Sequence, residues 1–332
     1  MPPKVLIVRF SSIGDIVLTT PVIRCVKRQT ESEVHFLTKR SFAATLRHNP
    51  YIDRLWTIDR HVSEVATELC AVGFTHLIDL HGNLRTLELK ARLSRAALLG
   101  RRRPPRVATF DKLNWQKLLL TRFRIDRMPA VHIVDRYLAT AKFLQVSNDG
   151  EGLDYFIGPD DQVTPPAAPY VAFVIGAAHA TKCLEEDQMR EVCARLPCPV
   201  VLLGGPAEAE LGARLATVGD HVHNACGAYG LNGSADLVRQ AAAVITHDTG
   251  LMHVAAAFRR PIVSVWGNTV PRLGMYPYLP DGPAYVAAEV SGLPCRPCSK
   301  IGYASCPRGH FRCMRGQDLP AIARAALLAV KA

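Results

Sequence analysis

The sequence predicts an α/β protein made of two doubly wound halves with parallel sheets, and three observations carry that reading. Its 332 residues exceed the usual size of one domain. From residue 4 onward, short β-branched runs alternate with helical patterns. The rhythm stops at a polar, proline-dense passage and then starts again.

In the first half the expected strands are residues 5–8, 34–37, 55–58 and 77–79, and the expected helices are 16–27, 42–47, 63–72, 85–93 and 132–144. Pro21 falls inside the first helix and should kink or restart it. Gly158-Pro-Asp-Asp161 and Thr164-Pro-Pro-Ala-Ala-Pro169 read as the linker. Beyond it the expected strands are 170–175, 200–203, 243–246 and 262–265, with helices 185–195, 207–216, 234–242 and 249–256 and a last helix over 318–330. The expected domains are therefore 1–160 and 168–316, followed by a terminal segment, 317–332. Two such halves would direct their strand ends into a cleft between them.

Composition narrows the function classes. Hydrophobic residues make up 48% and charged residues 21%, which excludes wholesale disorder. No apolar run reaches the roughly 18 residues that span a bilayer. Val5-Leu-Ile-Val8 is cut short by Arg9, too early for an export signal, so a cytoplasmic location is expected. The net charge of +11 is concentrated between Arg85 and Arg106, where Arg85, Lys90, Arg92, Arg95, Arg101, Arg102, Arg103 and Arg106 face Glu88 alone. Such a stretch is either a solvated face or a site for nucleic acid, an anionic membrane or a phosphorylated substrate. No RNA-module signature accompanies it, so nucleic acid ranks last.

Four strand ends carry polar chemistry. The first strand runs into Phe10-Ser-Ser-Ile-Gly-Asp15, which lacks the glycine spacing of a dinucleotide fold. Asp15 there is either a helix cap or a general base. Ile175-Gly-Ala-Ala-His-Ala-Thr-Lys182 and Leu203-Gly-Gly-Pro-Ala-Glu208 follow two later strands; Lys182 suits a diphosphate and Glu208 suits ribose hydroxyls, or both are ordinary surface charges. His247-Asp-Thr-Gly-Leu-Met-His253 turns a strand into a small-residue helix, whose free N–H groups favour a phosphate.

Taken in order, the stretch from Arg9 to Asp15 with Pro21, Asp79-Leu-His-Gly-Asn-Leu-Arg85, Lys182, Gly204-Gly-Pro-Ala-Glu208 and Asp248-Thr-Gly-Leu-Met-His253 resemble glycosyltransferase family 9, the ADP-heptose:lipopolysaccharide heptosyltransferases. The resemblance runs over essentially the whole chain. It implies the GT-B architecture, with an acceptor domain, a nucleotide-sugar domain and a terminal helix returning to the first domain. It also implies inverting transfer of a heptose from ADP-heptose to a lipid-linked, phosphorylated core glycan at the inner-membrane surface. By position, Asp15 becomes the catalytic base. Thr181, Lys182, Glu208, Asp248, Thr249, Gly250 and His253 hold the donor, while Ser12, Gly14 and Arg85 serve the acceptor. No metal is expected in catalysis. A sugar-nucleotide epimerase of the same architecture is the enzymatic alternative, and a nucleic-acid-binding protein is the alternative from another class.

Ten cysteines divide into scattered, apolar-flanked residues and a cluster at 295–313. Cys295, Cys298, Cys306 and Cys313 have zinc-compatible chemistry, but six residues separate the second pair. Structural zinc and a disulfide are each weighed below reduced thiols.

Overall fold

The computed structural model describes residues 2–331 except Ala167 and Ala284. One residue of the expected linker (Ala167) and the last of the terminal segment (Ala332) thus lie outside the described residues. The chain divides into two compact units: residues up to Lys112 with Val131–Phe156, and Leu113–Ala130 with the chain from Ile157 onward.

The first unit begins with β1 (Lys4–Val8), α1 (Ile13–Val17) and α2 (Thr20–Thr30). The single helix expected over 16–27 is broken at Leu18 and Thr19, and α2 restarts with Pro21 in its first turn, where a missing N–H is harmless. β2 (Glu33–Lys39) follows, then a 3-10 turn (Arg40–Leu46), β3 (Arg54–Ile58), α3 (Ala66–Val72), β4 (His76–Asp79), α4 (Leu84–Leu99) and β5 (Arg106–Thr109). Next comes α5 (Asn114–Leu118), which belongs to the second unit, before α6 (Ile133–Thr140) returns to the first. The strands are all parallel, in the order β3-β2-β1-β4-β5. Leu6, Val8, Leu37, Trp56, Leu77 and Leu89 belong to the buried cluster on one side of this sheet.

The second unit repeats the scheme with β6 (Val171–Val174), α7 (Glu186–Ala194), β7 (Val200–Leu203), α8 (Ala209–Ala216), β8 (Val222–Asn224) and α9 (Leu231–Gln240). β9 (Ala243–His247), α10 (Gly250–Ala257), β10 (Ile262–Trp266) and β11 (Val286–Glu289) complete a parallel sheet ordered β11-β10-β9-β6-β7-β8. After the cysteine loop come α11 (Arg312–Arg315) and α12 (Leu319–Lys331). Both sheets therefore have the doubly wound order in which the first strand of each unit sits beside the fourth.

Two domain expectations need revision. The segment Leu113–Ala130 does not stay with the first half. Leu120 and Met128 pack on Leu273, and the Arg272 guanidinium donates to Asp126 and to the carbonyls of Met128 and Pro129. Arg124 in turn donates to the carbonyls of Pro294, Cys295 and Pro297. The last helix was expected to return to the first domain. Instead α12 packs on α7, β9 and β10, and Leu319, Ile322, Ala323 and Ala326 complete the second unit's core. Its apolar stripe is used there.

Candidate active site

In a doubly wound sheet, ligands gather at the carboxyl ends of the two strands where the winding direction reverses. In the first unit those strands are β1 and β4. Beyond β1, Ser12 caps α1 and Asp15 occupies its third position. The Ser12 N–H and hydroxyl both donate to Asp15 Oδ2, at 3.1 and 2.9 Å. Arg9 reaches Asp15 Oδ1 at 2.7 Å. The same guanidinium donates to the carbonyls of Ser11 and of Leu80 beyond β4, so one cation ties the two strand ends together. Burial alone would raise the Asp15 pKa, but the Arg9 charge and the two Ser12 donors outweigh it and hold the carboxyl below its usual range. Asp15 is thus ionised at neutral pH and still 19% exposed. Of the two readings of Asp15 in sequence, capping is visible in these contacts, and the ionised carboxylate leaves the other chemically feasible.

The β4 end carries a second buried carboxylate. Asp79 accepts the N–H groups of His81 and Gly82 and pairs with Lys90 at 2.5 Å, which shapes the turn. His81 lies edge-on to Phe10, and burial together with Arg9 and Lys112 pushes its pKa down to about 4, leaving a neutral imidazole at this strand end. Arg85 sits in the first turn of α4, behind the Asn83 cap, half-buried and without an ion pair among the described residues. A cation at that end of a helix opposes the dipole, so an anionic ligand is its natural partner. Gly14 is buried inside α1. The basic stretch is only partly available: Lys90 holds Asp79, Arg102 donates to the Cys70 carbonyl, and Arg106 lies over Phe143.

In the second unit the reversal falls between β6 and β9. Lys182, at the end of the loop from β6, pairs with Asp248, beyond β9, at 2.7 Å. Thr269 also donates to Asp248 Oδ2, at 2.8 Å, so the carboxylate is held from two sides. Buried His247 accepts the Leu184 N–H, which fixes the β9 end against the lysine loop. Thr249 caps α10 by position, yet its side chain makes no capping hydrogen bond. Gly250 opens the helix and buried His253 lies one turn further in. Glu208 accepts the Gly205 N–H at 2.7 Å and folds against the β6 loop. A Cβ at Gly176 would stand 2.7 Å from the Glu208 carboxyl carbon, so the two loops meet only because residue 176 is glycine.

Thr181 has another task. Its hydroxyl accepts the Tyr303 N–H at 2.8 Å and donates to the Tyr303 carbonyl at 3.0 Å. It is 2% exposed and clamps the cysteine loop onto the lysine loop. That loop gathers Cys295, Cys298, Cys306, Cys313 and His310 around one small cavity, with Cys295 Sγ 3.8 Å from His310 Nε2. All four cysteines are free thiols, and among the described residues no three His, Cys, Asp or Glu stand in metal-ligating geometry. Arg9, His81 and Thr269 were not singled out as site residues from sequence. In sequence Arg9 only ends an apolar run and opens the Arg9–Asp15 motif, although a cation closing a buried strand is itself a signal.

Comparison with known proteins places the chain in a family. The family model described as glycosyltransferase family 9 (heptosyltransferase) matches residues 62–302. Lipopolysaccharide heptosyltransferase 1 of Pseudomonas aeruginosa is 27% identical over 326 residues, covering 90% of this chain and 86% of that protein. Among solved structures, the family 9 glycosyltransferase of Veillonella parvula superposes with a TM-score of 0.76 at 20% identity, covering 99% of this chain and 97% of that one. The Escherichia coli ADP-heptose lipopolysaccharide heptosyltransferase II does so with a TM-score of 0.71 at 16% identity, covering 99% and 98%. These two likenesses establish a shared GT-B fold. With the family model spanning well over half of its residues and the polar strand ends where that fold binds ligands, the chain belongs to glycosyltransferase family 9 and is a glycosyltransferase.

Proposed function

We propose that this enzyme transfers a heptose from ADP-heptose to a lipid-linked, phosphorylated lipopolysaccharide core acceptor, inverting the anomeric centre. The Pseudomonas relative is named for lipopolysaccharide heptosyl transfer, and the E. coli structure for ADP-heptose. The observation that carries the mechanism is the state of Asp15. A carboxylate offers about four lone-pair sites. Both on Oδ2 are filled by Ser12, and one on Oδ1 is filled by Arg9. The remaining Oδ1 lone pair is open on a side chain kept ionised, which is what a base for a sugar hydroxyl requires. A hydroxyl is too weakly acidic to ionise first, so its proton passes to Oδ1 as its oxygen bonds to the anomeric carbon. The carbon–phosphate oxygen bond breaks on the opposite face, and the departing ADP takes the electron pair.

Lys182 and the uncapped N–H groups of α10 would hold the diphosphate and stabilise the charge that grows on it, so this reading needs no metal. Asp248, held by Thr269, positions Lys182; Glu208 would meet the ribose, and His253 would line the donor pocket. Ser12, Gly14 and Arg85 would serve the acceptor, with contact between the protein and an anionic inner-membrane surface on the cytoplasmic side.

The test has two stages. Thermal shifts with ADP-, UDP-, GDP- and dTDP-sugars should show stabilisation by the ADP-sugar, since a ligand of the native state raises apparent stability. NMR of the product formed from ADP-heptose and a heptose-deficient core acceptor should show the configuration opposite to that of the donor. Retention would remove the single-displacement mechanism, and preference for another nucleotide would remove ADP-heptose.

A further inference from the structure

The segment that leaves the first unit and joins the second has two unlike sides. Its inner side, with Leu120 and Met128, packs on Leu273. Its outer side leaves Trp115 65%, Leu118 46% and Phe123 58% exposed. Trp115 and Leu118 lie one turn apart in α5, and Arg122 follows in the π-helical turn Leu119–Phe123 that continues it. Across a groove from Leu118 stand Ile301 and Tyr303 of the cysteine loop, both exposed, with Lys300 between the loop and solvent. Arg122, Arg127 and Lys300 have no ion pair among the described residues, and the neighbouring acid, Asp126, is consumed by Arg272. Large apolar side chains exposed together, ringed by unpaired cations, are costly in water and complementary to one surface: an anionic lipid leaflet.

We infer that the outer face of Leu113–Ile125, with Lys300–Tyr303 beside it, is a membrane-docking surface that inserts Trp115, Leu118 and Phe123 among lipid headgroups. The inference rests on the proposed lipid-linked acceptor and names the element that would bring the enzyme to it. The segment is fixed on its inner side by the Arg124 and Arg272 clamps, so its apolar side chains are presented by a braced surface rather than a loose loop. The two cysteine-loop residues extend the face beyond a single helix.

The chain supplies its own reporter. It has three tryptophans, and Trp56 and Trp266 are 5% and 1% exposed, leaving Trp115 as the one facing solvent. Titrating the full chain with phosphatidylglycerol-rich vesicles should shift tryptophan emission to the blue, with parallel sedimentation of the protein. Trp115→Phe should still sediment within about twofold of the parent but lose the shift. Leu118→Ser with Phe123→Ser should sediment several-fold less while binding ADP as the parent does, which shows that the fold is intact. Binding to neutral phosphatidylcholine vesicles should be several-fold weaker. Sedimentation without a change in emission would overturn this surface and leave membrane contact to another part of the protein. Failure to sediment, with transfer to a soluble acceptor retained, would overturn it and spare the transferase reading. A blue shift that follows protein concentration without vesicles would show that a second copy covers the face, and would overturn it as well.

Discussion

The two strand-end sites use the same structural device with opposite polarity. Each places an acid–base ion pair of 2.7 Å at the carboxyl ends of the strands where its sheet reverses. In the first unit the cation is the fixed member: Arg9 is fastened to two backbone carbonyls, and the carboxylate of Asp15 keeps an open lone pair. In the second unit the proposed roles are reversed: Asp248 is fastened by Thr269, and Lys182, which pairs with it and donates to its backbone carbonyl, would supply the charge for the ligand. On the proposed mechanism, one doubly wound scaffold presents a proton acceptor in one copy and an anion holder in the other.

Removing the available member of each pair tests this contrast most severely. Asp15→Asn should lower turnover by about 10²-fold or more while leaving ADP affinity unchanged. Unchanged turnover would show Asp15 to be a cap alone. The immobilised partner should behave differently: Arg9→Gln releases Asp15 from the charge that lowers its pKa, so the acid limb of kcat/KM should move to higher pH. A pH profile identical to the parent's would mean that Arg9 does not set the basicity of Asp15.

On the other side, Lys182→Ala should weaken ADP about 10-fold and slow turnover as well, because a charge-assisted contact is lost in the ground state and again as the leaving group develops charge. Equal ADP titrations of mutant and parent would make Lys182 a surface charge.

A smaller effect separates site from scaffold. Thr181→Val should cost about 1–2 kcal/mol in urea denaturation by stranding the Tyr303 backbone groups, yet leave ADP affinity close to that of the parent. A mutant of unchanged stability that binds ADP poorly would restore Thr181 to the diphosphate.

Acidification gives the last contrast. His81 and His247 have folded pKa values pushed down to about 4, below the ordinary 6.5, because burial disfavours the imidazolium. In that window the unfolded chain binds protons that the folded chain refuses. The stability these groups contribute is therefore complete above about pH 6.5 and is lost as pH falls toward 4. Urea midpoints measured from pH 7.5 to 4.5 should decline, and His81→Gln should flatten part of the decline. If the mutant's curve runs parallel to the parent's, His81 is not held neutral.

Much of this was legible in the sequence, and the omissions share a cause. Central strands such as β1, β6 and β9 are buried on both faces and read as unbroken apolar runs. The strands that escaped reading are edges: β5, half of it arginine and threonine, β8, three residues long, and β11, which ends in a glutamate. An edge strand has one neighbour and needs little hydrophobicity, so its local pattern is weak. The polar strand ends were visible as motifs because glycine, acid and hydroxyl cluster there. Their partners were hidden because Arg9–Leu80 and Asp248–Thr269 join positions 71 and 21 residues apart. The clamp made by Thr181 was hidden for the same reason, since its partner stands 122 residues downstream.

The assignment of Leu113–Ala130 to the second unit has a consequence for how such an enzyme can be rearranged. The backbone passes between the units three times, after Lys112, Ala130 and Phe156, rather than once through a linker. A chimaera joined at a single point in the proline-rich passage would import a foreign first unit together with a foreign strip of the second. The Arg124 and Arg272 clamps and the Leu120–Leu273 packing would then have to fit a surface with which they had no shared history. The first unit of this chain is accordingly exchanged as two blocks around a retained strip, and a lineage that swapped halves whole would have had to rebuild that seam.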